Sequence, residues 1–360
     1  MIPKLLYRYI AKNNFYYLLF CIVAGIFIYL LVDLFDRLDN FLSKGVQPQI
    51  IISYFLWKIP VILSQIFPLV FFLTSIIQFS LMKKNREWEA IEGGGIFVEK
   101  IMLFLIVYSL FFSSIHLLFS QYLGNYAQEK VDYIWDSLGK KQRLIKDKVE
   151  DIWFRKQNII GFIKEANIES GECVDVTLYV LDNNFSQITN CYYAKYGKFN
   201  NDVLVLKDVI NYIPNEFKYV SIESFTVKGS NIKTILEASA TPSVEDIPVW
   251  TLKKIISEMK KTGTNIEDIL TVWYSKISYS FSMVVLSLVA FFIGRKFENI
   301  PLTMGLGLCI SLIFYGLFVL GTTLGKSGDI LPFLGAFGVH IVFGSLLIYV
   351  YMKDLIFFRR

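Results

Sequence analysis

Residues 299–325 read NIPLTMGLGLCISLIFYGLFVLGTTLG, a run without one charged side chain. A helix needs about 20 mainly apolar residues to cross the hydrocarbon layer, so this stretch is long enough to span a bilayer. Working outward from it, uncharged windows of the same kind recur at 330–352 on one side and at 277–294, 101–128, 59–82 and 13–32 on the other. Three windows precede a long polar middle and three follow it. The whole chain of 360 residues is 54% hydrophobic with a mean hydropathy of +0.48, above the ~45–50% apolar usage of soluble domains. The window at 13–32 is read as a retained helix, because no small-x-small cleavage site follows it. The fold class expected is an α+β membrane protein: six transmembrane helices in a three-plus-three plan with an inserted extracytoplasmic β domain.

Orientation follows from Lys and Arg in short loops, which resist translocation. One side of the predicted helices collects Lys4, Arg8, Lys12, Lys83, Lys84, Arg86, Lys100, Arg295, Lys296, Lys353, Arg359 and Arg360, whereas the other has only Arg37, Lys44, Lys58 and Lys326. Both termini are therefore placed in the cytoplasm and the polar middle outside. The net charge of +5 is a topology signal, not the mark of a nucleic-acid binder. Of the four cysteines, Cys21 and Cys309 fall in membrane windows, and Cys173 and Cys191 share the outer domain, where an oxidising compartment permits a disulfide. The two histidines, His116 and His340, sit in apolar runs with no metal-ligand spacing.

Residues 1–12 place Ile2, Leu5, Leu6, Tyr9 and Ile10 between basic residues, the pattern of a lead-in helix on the membrane face or of a plain polybasic flank. In the middle, the β-branched and aromatic runs Val174–Leu181, Val203–Leu206 and Tyr219–Val227, punctuated by Asp182-Asn183 and Asn200-Asn201, predict consecutive antiparallel strands. About 140 residues suffice for a sandwich or jelly roll. Helical stretches at Asn125–Lys148 and Pro248–Lys261, the latter stopping at Gly263, read as connectors. The domain limits are then 1–128 for helices one to three, with a short helix at about 84–95 in the inner loop; 129–266 for the β domain with its connectors; and 267–360 for helices four to six.

Few residues suggest chemistry. Gly321-Thr-Thr-Leu-Gly325-Lys326-Ser327 imitates a phosphate loop, but it is one residue short and follows a membrane helix instead of a strand. Asp33, Asp36 and Asp39, at i, i+3 and i+6, form either a cation-attracting face or a wet helix end. Lys276 interrupts an apolar run. A charge near the bilayer centre costs ~2.5–3.5 kcal/mol on insertion scales, so it faces a cavity, a partner or a headgroup, or else snorkels. In the inner loop, Arg86-Glu87-Trp88-Glu89-Ala90-Ile91-Glu92 builds two helical turns, with Trp88 and Ile91 adjacent at i, i+3, before Gly93-Gly94-Gly95 breaks the helix. Such an apolar ridge suits a groove on a cytoplasmic partner, or a membrane surface.

The chain resembles the LptF/LptG permease family of the lipopolysaccharide exporter over essentially its whole length. The resemblance is carried by the three-plus-three plan and by Arg8-Tyr9-Ile10, Glu87 followed by Gly95, Ser275-Lys276-Ile277, Gly305, Phe314-Tyr315, Leu324-Gly325 and Leu331-Pro332. The stretch Asp33–Phe41 inclines it to the LptG-like branch. The resemblance implies a non-catalytic inner-membrane subunit that binds no cofactor itself, ATP being held by a cytoplasmic ATPase dimer. Its further implied partners are a second homologous permease, a membrane-anchored periplasmic jelly-roll bridge protein, and lipopolysaccharide. It implies ATPase coupling through Glu87, Trp88, Ala90, Ile91 and Gly95. Lipid-binding or cavity residues would come from Asp36, Arg37, Lys44, Lys130, Lys276, Phe314 and Tyr315. Two departures stand out: Asp33, Asp39 and Asn40 occupy a region where some members carry lysines, and Ser280 stands where a proline is often found. A reading of another class is a membrane-anchored sensor or envelope assembly factor whose outer β domain binds a ligand.

Overall fold

The computed structural model describes residues 2–138, 148–156, 158–167, 170–182, 187–200, 203–228, 244–262 and 266–358. The chain forms two compact units, residues 1–138 with 267–360, and residues 139–266.

The first unit is helical. In chain order it contains α1 (Ile2–Ser43), α2 (Pro48–Lys84), the short α3 (Glu87–Gly93) and α4 (Val98–Phe119). A π-helical turn at Ser120–Gly124 leads α4 into α5 (Asn125–Leu138). With α6 (Val249–Thr262) lying in the other unit, the series ends with α7 (Glu267–Lys296), α8 (Ile300–Ser327) and α9 (Pro332–Phe358). Among the described residues six helices are long and apolar enough to cross a membrane, α4 and α5 counting as one. The lead-in segment is not a separate helix. Pro3 falls in the first turn, where its missing N–H costs nothing, and no further proline interrupts the ladder from there to Ser43.

Helix α7 is the hub, packing on α2, α4, α8 and α9. Within the chain, 56% of its apolar window is buried, against 6% for α1. Small residues make that position possible: Ser278, Ser280 and Ser282 are fully buried, and a Cβ on Gly294 would stand 2.5 Å from that of Phe79. The phosphate-loop look-alike is explained in the same way. Gly321 and Gly325 lie inside α8, where a Cβ on Gly321 would come within 2.6 Å of the Gly335 carbonyl oxygen and one on Gly325 within 2.9 Å of Thr271. They form a small-xxx-small contact that brings helix backbones together.

Among its described residues the second unit holds six antiparallel strands in sequential order: β1 (Lys148–Lys156), β2 (Ile159–Asn167), β3 (Glu172–Leu181), β4 (Ile188–Asn200), β5 (Val203–Ile213) and β6 (Lys218–Lys228). The three sequence-predicted runs fall within β3, β5 and β6, Val203–Leu206 being the opening of β5. The described strands of the expected jelly roll form one meander. Its two-residue alternation resets once per strand. Consecutive buried positions fall three apart at Ile163 and Ala166, at Cys173 and Val176, and at Leu206 and Val209. At that level Asp151, Asp175 and Asp208 adopt left-handed φ of 55, 53 and 53°, and the ladder skips 151, 164, 175 and 208. An extra residue bends a strand without turning its apolar face outward, so aligned bulges curve the sheet along one row and keep a single core. The Tyr193 hydroxyl donates to Asp175 at 2.8 Å and Lys164 lies 3.5 Å away, which together hold that carboxyl below the usual carboxylate range. Cys173 and Cys191 are both free thiols. Cys191 pairs with Tyr179 and Cys173 with Gly197, so six residues of strand, roughly 20 Å, separate the two, far beyond disulfide reach.

Candidate functional site

At one end of the helical unit, α3 closes the α2–α4 connection. Arg86 turns the chain with φ 56° and Gly95 releases it with φ 72°. The apolar ridge expected to face a partner is turned the other way. Trp88 is only 2% exposed, its ring edge-on to Phe291 at 5.3 Å and 5.9 Å from Phe79, while its indole N–H donates to the Phe79 carbonyl at 3.2 Å. Ile91 packs against the same cluster. A two-turn helix is too short to hold its shape alone, so burying its ridge is what fixes it. Two ion pairs, Lys83–Glu89 and Arg295–Glu92, each at 2.5 Å, clamp its rim, and the Lys83 hydrogen bond draws the Glu89 carboxyl below its ordinary range. Glu87 accepts the Tyr9 hydroxyl at 3.0–3.1 Å. The surface left outward is Glu89, Ala90, Glu92 and the glycines through Gly95.

At the opposite end, α1, α2 and α5 meet in an aromatic cluster around Phe41, Tyr54 and Trp135. Arg37 belongs to it: its guanidinium bonds Asp33 at 3.1 Å and stacks over Trp135 at 4.1 Å. Tyr54 donates to the same carboxylate at 3.1 Å, and Lys58 lies 4.0 Å from it. The acidic face expected from the sequence is therefore divided. Asp33 is taken up in packing, and Asp36 and Asp39 are exposed. Lys44 stands over Trp135 at 5.7 Å and Lys130 over Tyr126 at 5.3 Å, so the candidate cations Arg37 and Lys44 share one aromatic platform.

Lys276 lies on α7 beside the π turn and donates to Gln121 at 3.4 Å. The π turn is a local widening of the kind that recurs at functional positions, and here it supplies Lys276 with a partner. Phe314 is fully buried, edge-on to His340 and Phe343, so it serves as packing within the bundle and not as an open wall. Tyr315 is half-buried, its ring 5.8 Å from Tyr279.

Two buried polar groupings were not anticipated from the sequence. Pro68 in α2 has no N–H to offer the carbonyl of Ser64, four residues earlier. His116 Nε2 donates to that carbonyl at 2.9 Å, and the Ser280 hydroxyl, also 2.9 Å away, serves Nδ1. Ser280 thus completes a junction of α2, α4 and α7. Its signal was available: a proline in an apolar helix, and a histidine with nothing else to bond. In the second grouping, Asn14 donates to Gln78 at 2.8 Å, Gln78 to the Ile10 carbonyl at 2.8 Å, and Tyr108 to Asn14 at 3.2 Å. It locks α1 to α2 one turn beyond the Tyr9–Glu87 bond.

Six apolar spans, a polar loop helix clamped to the bundle and an inserted antiparallel sheet define a multi-pass α+β membrane protein. Among known families, the lipopolysaccharide export system permease LptF/LptG matches residues 8–353. The chain belongs to that family, and as such is an inner-membrane permease component of lipopolysaccharide export. No individual curated protein matches it.

Proposed function

We propose that this chain is one transmembrane half of an ATP-driven exporter that extracts lipopolysaccharide from the inner membrane and passes it to a periplasmic bridge. In this reading α3 docks on a cytoplasmic ATPase dimer and a second homologous permease packs alongside. The β domain stands in the periplasm with both termini in the cytoplasm. ATP is bound and hydrolysed by the partner alone.

The observation that carries the reading is the construction of α3. Its apolar side is spent on the bundle, two ion pairs hold it rigid, and it offers outward Glu89, Ala90 and Glu92. A force on that surface is transmitted through Trp88 to α2 and α7 and through Glu87 and Tyr9 to α1. Basic residues on either side of α3 favour the cytoplasm for this end. The thin burial of α1 within the chain leaves a wide apolar face for the second permease or for lipid. Lys276 is the cation we assign to the transport path, and Arg37, Lys44 and Lys130 are those assigned to the anionic headgroup, with Asp36 at their edge.

Purification of the tagged chain from its native membrane in mild detergent tests this, with mass spectrometry of the proteins and lipids recovered. An ATPase, a second permease and lipopolysaccharide should accompany it, and Ala90→Arg should lose the ATPase at unchanged thermal stability. Recovery of the chain alone would favour a sensor or assembly factor and sink the exporter reading.

A further inference from the structure

Beside α3, a cleft of ≈ 740 Å³ opens between α3, α7, α8 and α9, within the ~300–1,000 Å³ typical of ligand sites. Its walls are apolar, with Val289, Phe292 and Ile293 from α7, Ile310 from α8, and Phe343 and Leu347 from α9. Its rim is ionic, with Lys83, Arg295 and Lys296 against Glu89 and Glu92. Leu346 and Val350 also line it, yet are 54% and 39% exposed. The cleft therefore continues into the outward apolar face of α9, which a bilayer covers, and its natural filling comes from the lipid phase.

We propose that this cleft binds an anionic phospholipid, with an acyl chain between α7, α8 and α9 and the phosphate at Lys296, Arg295 and Lys83. Two features select a lipid of this charge. The rim carries one more cation than carboxylates, and basic pockets between transmembrane helices at a membrane surface are sites for anionic headgroups. The alternative role of Arg295 and Lys296, balancing the carbonyl end of α7, needs no apolar cleft beneath them. Because Lys83 and Arg295 also hold Glu89 and Glu92, a phosphate here shares cations with α3, and occupancy tunes how tightly α3 is seated.

The test uses the full chain in phosphatidylcholine vesicles containing a minor fraction of phosphatidylglycerol with a photoactivatable acyl chain, compared with the same probe on a choline headgroup. Labelled peptides are then mapped by mass spectrometry. The glycerol probe should label the peptide holding Phe343 and Leu347 about fivefold more than the choline probe for each cation engaged, at ~1 kcal/mol per cation. Lys296→Glu, at an exposed position, should remove that excess, and Leu346→Trp should lower labelling by both probes. Equal labelling by the two probes would make the cleft ordinary lipid-facing surface. Absence of labelling by either would assign the cleft to a protein segment. Each result overturns the proposal, and neither depends on the ATPase or on lipopolysaccharide transport.

Discussion

Replacing Trp88 by Ala removes the side chain that seats α3. The indole is buried against Phe79 and Phe291 and gives one hydrogen bond to the Phe79 carbonyl. Loss of such a core tryptophan costs ~3–5 kcal/mol. A helix of this length has no stability of its own to fall back on, so the loss appears as local release of α3 and not as collapse of the bundle. At about 1.4 kcal/mol per decade, the open population of α3 rises roughly 10²- to 4 × 10³-fold. Amide hydrogen exchange of the peptide spanning residues 85–97 in detergent reads this directly. Trp88→Phe is the milder control: it keeps one ring in place and forfeits the N–H bond and part of the indole packing, about 1–2 kcal/mol, for a roughly five- to thirtyfold rise. If Trp88→Ala left exchange unchanged while abolishing recovery of the ATPase, Trp88 would be an exposed docking residue and the inward seating of α3 would be wrong.

His116→Phe leaves the Ser64 carbonyl without a partner and should destabilise the bundle by about 1–3 kcal/mol. Restoring an N–H with Pro68→Ala should recover part of that loss in thermal unfolding, and purely additive effects would refute the pairing. Gly321→Leu pushes a side chain into the Gly335 backbone and should cost about 1–3 kcal/mol or more, whereas Gly316→Leu, where nothing lies within 4 Å, should fold normally. In the sheet unit, Asp208→Val forces a β-branched residue into the left-handed region and should cost about 1–2 kcal/mol, with Asp208→Gly close to neutral by urea unfolding. Burial pushes the Cys173 thiol from 9.0 up to about 12, so the folded unit keeps a proton that the unfolded chain releases. The stabilisation is complete below pH 9 and lost as pH rises to about 12. An alkaline titration of Cys173→Ala should lack that component, and non-reducing mass spectrometry should find Cys173 and Cys191 unbridged.

The membrane plan was legible because it depends on length and on the absence of charge. Backbone groups in hydrocarbon must bond within their own helix, so each uncharged run of sufficient length declares itself without reference to its neighbours. The strands were half legible. Val176–Leu181 alternates cleanly beyond the reset at Asp175, but β1, β2 and β4 carry Lys, Glu, Asn and Gly, and every strand resets its period at one residue, which blurs a two-residue pattern. The inner-loop helix was placed within a few residues by its glycines.

The direction in which that helix faces was not legible. Trp88 and Ile91 make the same ridge whether they meet a partner or their own bundle, and only the position of Phe79 and Phe291, nine residues before and some two hundred after Trp88 in the chain, decides between them. The same holds for Arg37, which reads as a free cation until Asp33, Tyr54 and Trp135 converge on it, and for Gly321 and Gly325, whose meaning lies in a third glycine on the next helix. Sequence by itself determined the number of spans, the inserted sheet and the family, since each is written in local composition or in the order of motifs along the chain. Which charged and aromatic groups are spent on packing and which remain for a partner or a lipid was decided only in the tertiary structure, because burial is a property of distant segments brought together.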